Sequence, residues 1–467
     1  MAIADQLSRL NELRQNLAAA LTAKSVEAAE TEGFETLVPK VAEISSSVCV
    51  IKITFDSAFV GQSYTVSDGN GDAKTGIVPE SCVDSVSVAN CNTTYTISAA
   101  ANGITYSTAV TTGACFGQYT AVLLISAIYG VQWDGTSTTA WTRTDDAALF
   151  TDPVPYVNGA ASYGSPFDNI QPWAGMVKSE RTGGTMVAIP KFWYKLTQSG
   201  NGMTIQIADK EVDGYSVSPA HMDRGDGKGE RDVVYIGRYH CHTSNWKSQT
   251  GGQPKTDITR SSARSSIHAL GSNIWQMDFA ILFTIWLLYI VEFADWNSQA
   301  KIGYGCSPSS NKFNMGATDN MKYHTGTTVA SRTSYGCCQY RYIEGLWDNV
   351  YDWCDGCYYN GNGLNIIKNP SQFSDSSNGV SVGTPSHGYP SKFSVKTNGG
   401  FPLFIPTQAS GSDSTYSCDY WSFGSSEPCI HVGGYYSQGT RYGLFRVNCD
   451  PASHSYQDIG CRLQELP

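Results

Sequence analysis

Residues 431–463, HVGGYYSQGTRYGLFRVNCDPASHSYQDIGCRL, divide into two kinds of position. Val432, Gly433, Gly434, Gly439, Gly443, Leu444, Phe445, Ala452, Ile459, Gly460, Arg462 and Leu463 read as framework. Its glycines permit turns and close packing, and its aliphatics anchor the chain. Between them stand Tyr435, Tyr436, Ser437, Arg441, Tyr442, Arg446, Asn448, Cys449, Asp450, His454, Tyr456, Asp458 and Cys461. Tyrosine gives a large, rigid contact area with one polar tip, and Arg, His, Asp and Asn add directional hydrogen bonds. Antibody paratopes use the same mixture. We therefore expect Tyr435, Tyr436, Tyr442, Asn448, Asp450, His454 and Tyr456 to share one exposed face. The competing reading is an ordinary Gly/Tyr-rich core strand and loop. The nearby CDYWSF (418–423) adds Asp419, Tyr420 and Trp421, so the candidate region spans about 418–461.

The whole chain suits a binder better than a nucleic-acid protein. Its 467 residues are enough for two to four domains. Net charge is 31 − 41 = −10, without the long basic run that displaces counterions from nucleic acid. The basic residues from Arg224 to Arg231 alternate with Asp and Glu and read as a solvated loop. Aromatics at 12%, with 46 Gly and only 15% charged residues, point to a loop-heavy fold with a sizeable core. FAILFTIWLLYIV, from Phe279 to Val291, lies between Asp278 and Glu292. It falls short of the roughly 20 apolar residues that a bilayer requires and reads as a buried core helix. MAIADQLSRLNELRQ lacks a basic n-region leading into an apolar h-region, so no secretory signal is expected. The fourteen cysteines are then expected to stay free, as thiols do in a reducing cytosol. Cys354 and Cys357 form a CxxC without the second Cys/His pair that a zinc site needs.

Three segments separate by pattern. In residues 1–45, Ile3, Leu7, Leu10, Leu17 and Leu21 recur at helical steps, with Arg14 interrupting the seam. A docking or oligomerising helix is expected, against a lone amphipathic helix packed on its own protein. Gly33 and Pro39 break the pattern, with a short second helix at 34–44. Residues 46–126 change to a period of two in VCVIKITF, SYTVSD, SVSVAN, TYTISA, ITYSTAVTT and QYTAVLLI. Turns at 68–72, 90–92 and Asn102-Gly103 separate these runs, which predicts a small antiparallel sandwich acting as a spacer. Residues 127–467 are rich in Gly, Trp and Tyr, with long loops over 303–341 and 355–430. The expected class is α+β.

Several motifs of this third segment resemble, in order, the C-type-lectin-like fold of the formylglycine-generating-enzyme type. They are IPKFWYK (189–195), DGYSVSPAH (213–221), DVVYIGRYHC (232–241), the helix at 274–299, EGLWDNVYDWCDG (344–356) and RYGLFRVN…DIGCRL (441–463). Asp348 stands where that family usually has Gly. The fold hosts both enzymes and binders, so the site decides. The copper oxidases need two close cysteines after the Gly-Gly turn, but Cys449 stands without a near neighbour. The iron-dependent relatives need His-x-x-x-His-x-Glu, a spacing the eight histidines never make. No catalytic residue, metal or cofactor is expected. A calcium ion at Asp348, Asp352 and Asp355 is the one exception considered, against the reading of these as loop or surface carboxylates. Trp347 and Trp353 read as core beneath that loop rather than as a sugar platform.

Residues 431–463 more narrowly resemble the variable region of proteins mutated by diversity-generating retroelements, among them phage tropism determinants. Such mutation leaves codons ending in C, which exclude Trp, Lys, Glu, Gln and Met. All thirteen variable positions obey this, whereas Gln438 and Gln457 do not and read as fixed. The lone thiols Cys449 and Cys461 then read as products of a random codon set. The resemblance implies a homotrimeric, non-enzymatic receptor-binding protein of a phage tail. It would be made in the host cytoplasm, join other tail proteins through its N-terminal segment and bind a host cell-surface receptor, without touching nucleic acid or entering the membrane. The alternatives are a fixed-specificity carbohydrate adhesin, a structural tail decoration and a metal-dependent oxidase of the same fold.

Overall fold

A computed structural model of the chain describes residues 3–23, 26–44, 49–101, 104–125, 127–306, 309, 311–424, 428–439 and 442–467, without the side chains of 3, 4, 42–44 and 104. The protein is mixed α+β, with strand (34%) outweighing helix (15%). It divides into two compact units. The first comprises residues 1–126 with 211–213, and the second 127–210 with 214–467.

The first unit begins with a helical pair, α1 (Ile3–Thr22) and α2 (Phe34–Ile44). Ala18 and Leu21 of α1 pack on Val26 and Leu37. Leu7, Leu10 and Leu13 stay exposed on the other half of α1. Pro39 lies inside α2 rather than ending it. Seven strands follow: β1 (Cys49–Phe55), β2 (Ser63–Ser67), β3 (Ala73–Ile77), β4 (Val83–Val88), β5 (Thr94–Ala101), β6 (Ile104–Thr111) and β7 (Gln118–Leu123). They form sheets of order β4-β1-β7 and β3-β2-β5-β6. Alternate residues such as Ile51, Ile53, Tyr95 and Ile97 are buried, as the period of two requires. Phe55 of β1 meets Tyr64 of β2 at 4.8 Å between ring centroids.

Three expectations are corrected here. The sandwich is not wholly antiparallel, because β1 and β7 pair in parallel. The strand β3 (AKTGI) was not expected; it lies at a sheet edge and buries little, so no apolar alternation marks it. Nor do all thiols stay free: Cys91 and Cys115 form a disulfide, their Cα atoms 5.1 Å apart on the neighbouring β4–β5 and β6–β7 connections. The expected Asn102-Gly103 turn lies outside the described residues.

In the second unit, α3 (Arg260–His268) precedes α4 (Phe279–Phe293) and the short α5 (Ser298–Lys301). All fifteen residues of α4 are buried, which explains its apolar run. Asp278 caps it by accepting from Ile281 N–H at 2.9 Å, and left-handed Ala294 ends it. The helix packs on the strands Gly202–Ala208 and Ile128–Trp133. No helix among the described residues is long and apolar enough to cross a membrane.

Two contacts of α4 bear on the candidate region. Trp286 Nε1–H donates to the Leu444 carbonyl at 2.9 Å, and the Trp286 ring lies 5.4 Å from that of Phe445. Leu444 and Phe445 of the candidate segment are thus fastened to the central helix. That segment belongs to a five-stranded sheet ordered Trp421–Ser422, Val447–Asp450, Cys429–Val432, Tyr351–Trp353, Ile459–Cys461.

The end of α4 carries a buried ion pair. Arg341 donates through Nε and Nη2 to the Glu292 carboxylate at 2.8 and 2.6 Å, and the Tyr340 hydroxyl donates to Glu292 at 3.0 Å. Removing one partner of such a pair leaves the other charge buried and uncompensated. Arg341→Met is therefore expected to lower unfolding stability by about 3–5 kcal/mol in chemical denaturation. A loss below about 1 kcal/mol, the range of a surface pair, would contradict this assignment.

Candidate functional site

Strand alternation sorts the expected site residues. In Val447–Asp450, Asn448 and Asp450 point outward, while Val447 and Cys449 point into the core. His431 pairs across the sheet with Asn448. His431 Nε2 lies 2.8 Å from Asp450 Oδ2 and 2.8 Å from Asn448 Nδ2. His454 Nδ1 sits 3.2 Å from Asp450 Oδ1, and the His454 ring meets Tyr456 at 4.7 Å. Tyr456 is 51% exposed.

The row continues through aromatic contacts. The ring of Tyr351 lies 4.4 Å from His431 and 5.2 Å from Tyr435, which meets Tyr436 edge-on at 5.5 Å. Tyr442 stacks over the Arg446 guanidinium at 4.7 Å, and Tyr420 over the same group at 5.3 Å. The structure therefore brings Tyr435, Tyr436, Asn448, Asp450, His454 and Tyr456 into a row joined through the rings of Tyr351 and His431, and leaves Asp458 half-buried. Tyr442 and Tyr420 share Arg446 at one end of it. Ser437 is exposed on the adjoining turn, in the left-handed region at φ 81°. Arg441 lies outside the described residues.

Five expected positions are corrected. Cys449 and Cys461 are buried at 2% and 0% exposure. Strand alternation turns Cys449 inward, where its thiol reaches the Ser422 carbonyl. Cys461 pairs with Trp353 in a buried strand and accepts from Cys241 N–H at 2.8 Å. Arg446 is a buried strut that donates to the carbonyls of Tyr420 and Val447. Trp421 packs 6.1 Å from Trp286 in the core. Asp419 is also buried, and its place explains the loop.

The main chain of 442–446 is held from beneath. Gly443 N–H donates to Asp419 Oδ1 at 2.6 Å, and Phe445 N–H to Asp419 Oδ2 at 2.9 Å. Leu444 N–H donates to Ser298 Oγ at 2.9 Å, while Gln299 Nε2 donates to the Tyr442 carbonyl at 3.0 Å. These partners grip backbone atoms, so the side chains above them can change without loss of the hold. Gly443 is required here: a Cβ would stand 2.6 Å from Ser298 Oγ and 2.8 Å from Asp419 Oδ2. Gly433, at φ 77°, lets the strand end run over Leu346, whose carbonyl a Cβ would meet at 2.4 Å. Gln438, expected to be invariant, accepts from the Tyr351 hydroxyl at 2.7 Å.

Sequence reading missed Tyr351, His431 and Asp257. Tyr351 and His431 sit in buried strands that complete the row from below. Their aromatic and polar character inside otherwise apolar strands was the available signal. Asp257 comes from a distant loop, its N–H donating to the Tyr456 carbonyl at 3.0 Å, and nothing local marks it.

Electrostatics separate anchored from unanchored charges. Burial lowers the His431 imidazole from its usual range, against the pull of Asp450. Burial works to raise the Asp450 carboxyl, but His431 and His454 hold it below the ordinary carboxylate range. Asp458 is raised, first by burial and further by the charges of Asp450 and Asp257.

The carboxylates considered for calcium have separate engagements. Asp352 bonds His240 Nδ1 at 2.9 Å and Arg462 Nε at 3.0 Å. Asp355 receives Arg264 at 2.6 and 2.8 Å. Asp348 Oδ2 accepts from the N–H groups of Cys306 and Cys338, with burial pushing the acid up to about 7. Two of the three are thus neutralised by arginine, and all three fasten the fold. Trp347 and Trp353 are core residues whose indoles donate to the carbonyls of Gly303 and Ile258. No family model matches the chain, and no curated protein matches it.

Burial pushes Asp419 up to about 7, against the pull of its two N–H donors. The folded protein therefore holds this proton more tightly than the unfolded chain, and the group's contribution to stability falls as pH rises from about 4 to 7. Asparagine cannot titrate, so Asp419→Asn is expected to cost more stability at pH 5 than at pH 8. Thermal denaturation of both proteins at the two pH values reads this directly, and a cost that grows with pH would contradict it.

Proposed function

We propose that the protein is a receptor-binding protein of a phage tail, attaching the virion to the host cell through the face formed by Tyr435, Tyr436, Asn448, Asp450, His454, Tyr456 and Asp458. One observation carries this reading: side chains of the variable segment stand in a row joined through the rings of Tyr351 and His431, above a main chain gripped by Asp419, Ser298 and Gln299. Such a division of labour suits a surface whose specificity changes while its fold does not. The resemblance of 431–463 to retroelement-diversified regions, and of the second unit to C-type-lectin-like domains, supports the same assignment. The face binds rather than catalyses.

Attachment through many copies converts weak contacts into lasting adhesion. Leu7 and Leu10, exposed on α1 at heptad spacing, support a homotrimer joined through its N-terminal helices, which also dock the protein to the tail. The protein then acts at the virion surface, outside the cell.

Purified full-length protein, incubated with host cells before infection, is expected to slow phage adsorption about tenfold, as multivalent competitors do. Protein carrying Tyr435→Glu with Tyr456→Glu should not compete. Adsorption unaffected by saturating wild-type protein, or equally blocked by the double variant, would overturn the proposal.

A further inference from the structure

Two thiols meet where the segment 307–336 begins and ends. Tyr304 N–H donates to the Arg332 carbonyl at 3.2 Å, and Gly336 N–H to the Gly305 carbonyl at 3.1 Å, so the two flanks run side by side. Asp348 ties them further: its Oδ2 accepts from Cys306 N–H at 3.2 Å and from Cys338 N–H at 3.1 Å. Within these holds the thiols of Cys306 and Cys337 hydrogen-bond each other, and the Cys306 sulfur also accepts from Asn349 N–H. Cys338, next in the chain, takes no part. Its sulfur turns the other way, towards Thr327 and Gly303, as strand alternation requires.

Two other thiol pairs also hydrogen-bond, Cys241 with Cys461 and Cys354 with Cys357. All four of those residues belong to the hydrophobic clusters and are fully buried, whereas Cys306 and Cys337 lie outside both clusters. Cys337 stands two residues after the exposed run Thr333-Ser334-Tyr335. A local opening of that run, rather than of the core, gives a small reagent access to the pair. Neither thiol is set up as a fast nucleophile. Burial raises the Cys306 thiol, while the hydrogen bond to Cys306, burial and the charge of Asp348 raise that of Cys337. A thiolate is disfavoured beside Asp348, but a disulfide carries no charge there. The pair therefore suits a slowly formed, lasting cross-link better than a catalytic dithiol.

We infer that Cys306 and Cys337 are a site of oxidative cross-linking, which closes the segment 307–336 into a covalent loop when the protein meets a small disulfide such as oxidised glutathione. One cysteine, as its thiolate, attacks the oxidant and releases one molecule of glutathione. The second cysteine then attacks the mixed disulfide at the protein sulfur and releases the other. The protein loses two protons and two electrons, and the oxidant gains them as two thiols. The new bond braces a segment rich in loops by restricting the unfolded chain. This holds whatever the candidate face binds.

The test uses full-length protein purified under dithiothreitol, incubated with oxidised glutathione, then denatured, alkylated, digested and mapped by mass spectrometry. A peptide pair joined through Cys306 and Cys337 is expected, lighter by two hydrogens than its separate halves and split again by dithiothreitol. Oxidation should also raise the melting temperature, by about 5 °C more in wild type than in Cys306→Ser or Cys337→Ser. Comparison with these variants removes the contribution of every other cysteine pair. Recovery of Cys306 and Cys337 alkylated, carrying glutathione or bonded to other cysteines would overturn the inference. So would an equal rise in wild type and both variants. Should a variant fail to fold, the peptide map of the wild type decides alone.

Discussion

A single buried carboxylate, Asp419, holds the turn on which the candidate face is built. It accepts the N–H groups of Gly443 and Phe445 at once. Without it two buried donors would lose their partner, at about 1–3 kcal/mol each. Around this pair the other holds follow: Ser298 and Gln299 of α5 grip Leu444 and Tyr442, and Trp286 of α4 bonds the Leu444 carbonyl. Each grips main chain. Side-chain identity above the turn is therefore decoupled from the stability of the turn, which is the physical condition for a surface that varies.

Charge follows the same logic. Where the protein must be rigid, ionised groups are paired and buried: Arg341 with Glu292, and Arg462 with Asp352. Arg462 also donates to the carbonyls of Gly237, Arg238, Glu344 and Gly345, locking the closing strand beneath the row. At the surface the pairing is looser: among the described residues no lysine or arginine forms an ion pair with Asp458 or Asp257. The buried pairs fix geometry.

Much of this was legible in the sequence. The apolar run of α4 between Asp278 and Glu292, the early helix, and six of the seven strands of the first unit follow from periodicity and turn residues. The glycine framework of 431–463 was legible for the same reason, since Gly433 and Gly443 stand where a Cβ would strike a carbonyl or the clamp. Other features depend on contacts distant in sequence. A period of two turns Cys449 inward once 447–450 is known to be a strand, but its four residues are too few to announce themselves. The burial of Cys461, the role of Asp419 and the parallel β1–β7 pairing need partners tens to hundreds of residues away. The Cys91–Cys115 bond needs two connections side by side, which spacing alone does not reveal.

The independence of face and framework is tested most directly by replacing Tyr435, Tyr436, Asn448, Asp450, His454 and Tyr456 together, using other residues from the permitted codon set, and solving the crystal structure of the product. The account predicts a backbone over 431–463 that superposes on that of the parent within about 1 Å, as pre-organised binding surfaces do, with Asp419 still bonded to Gly443 and Phe445. A rearranged 442–446 turn, or a chain that no longer folds, would contradict it.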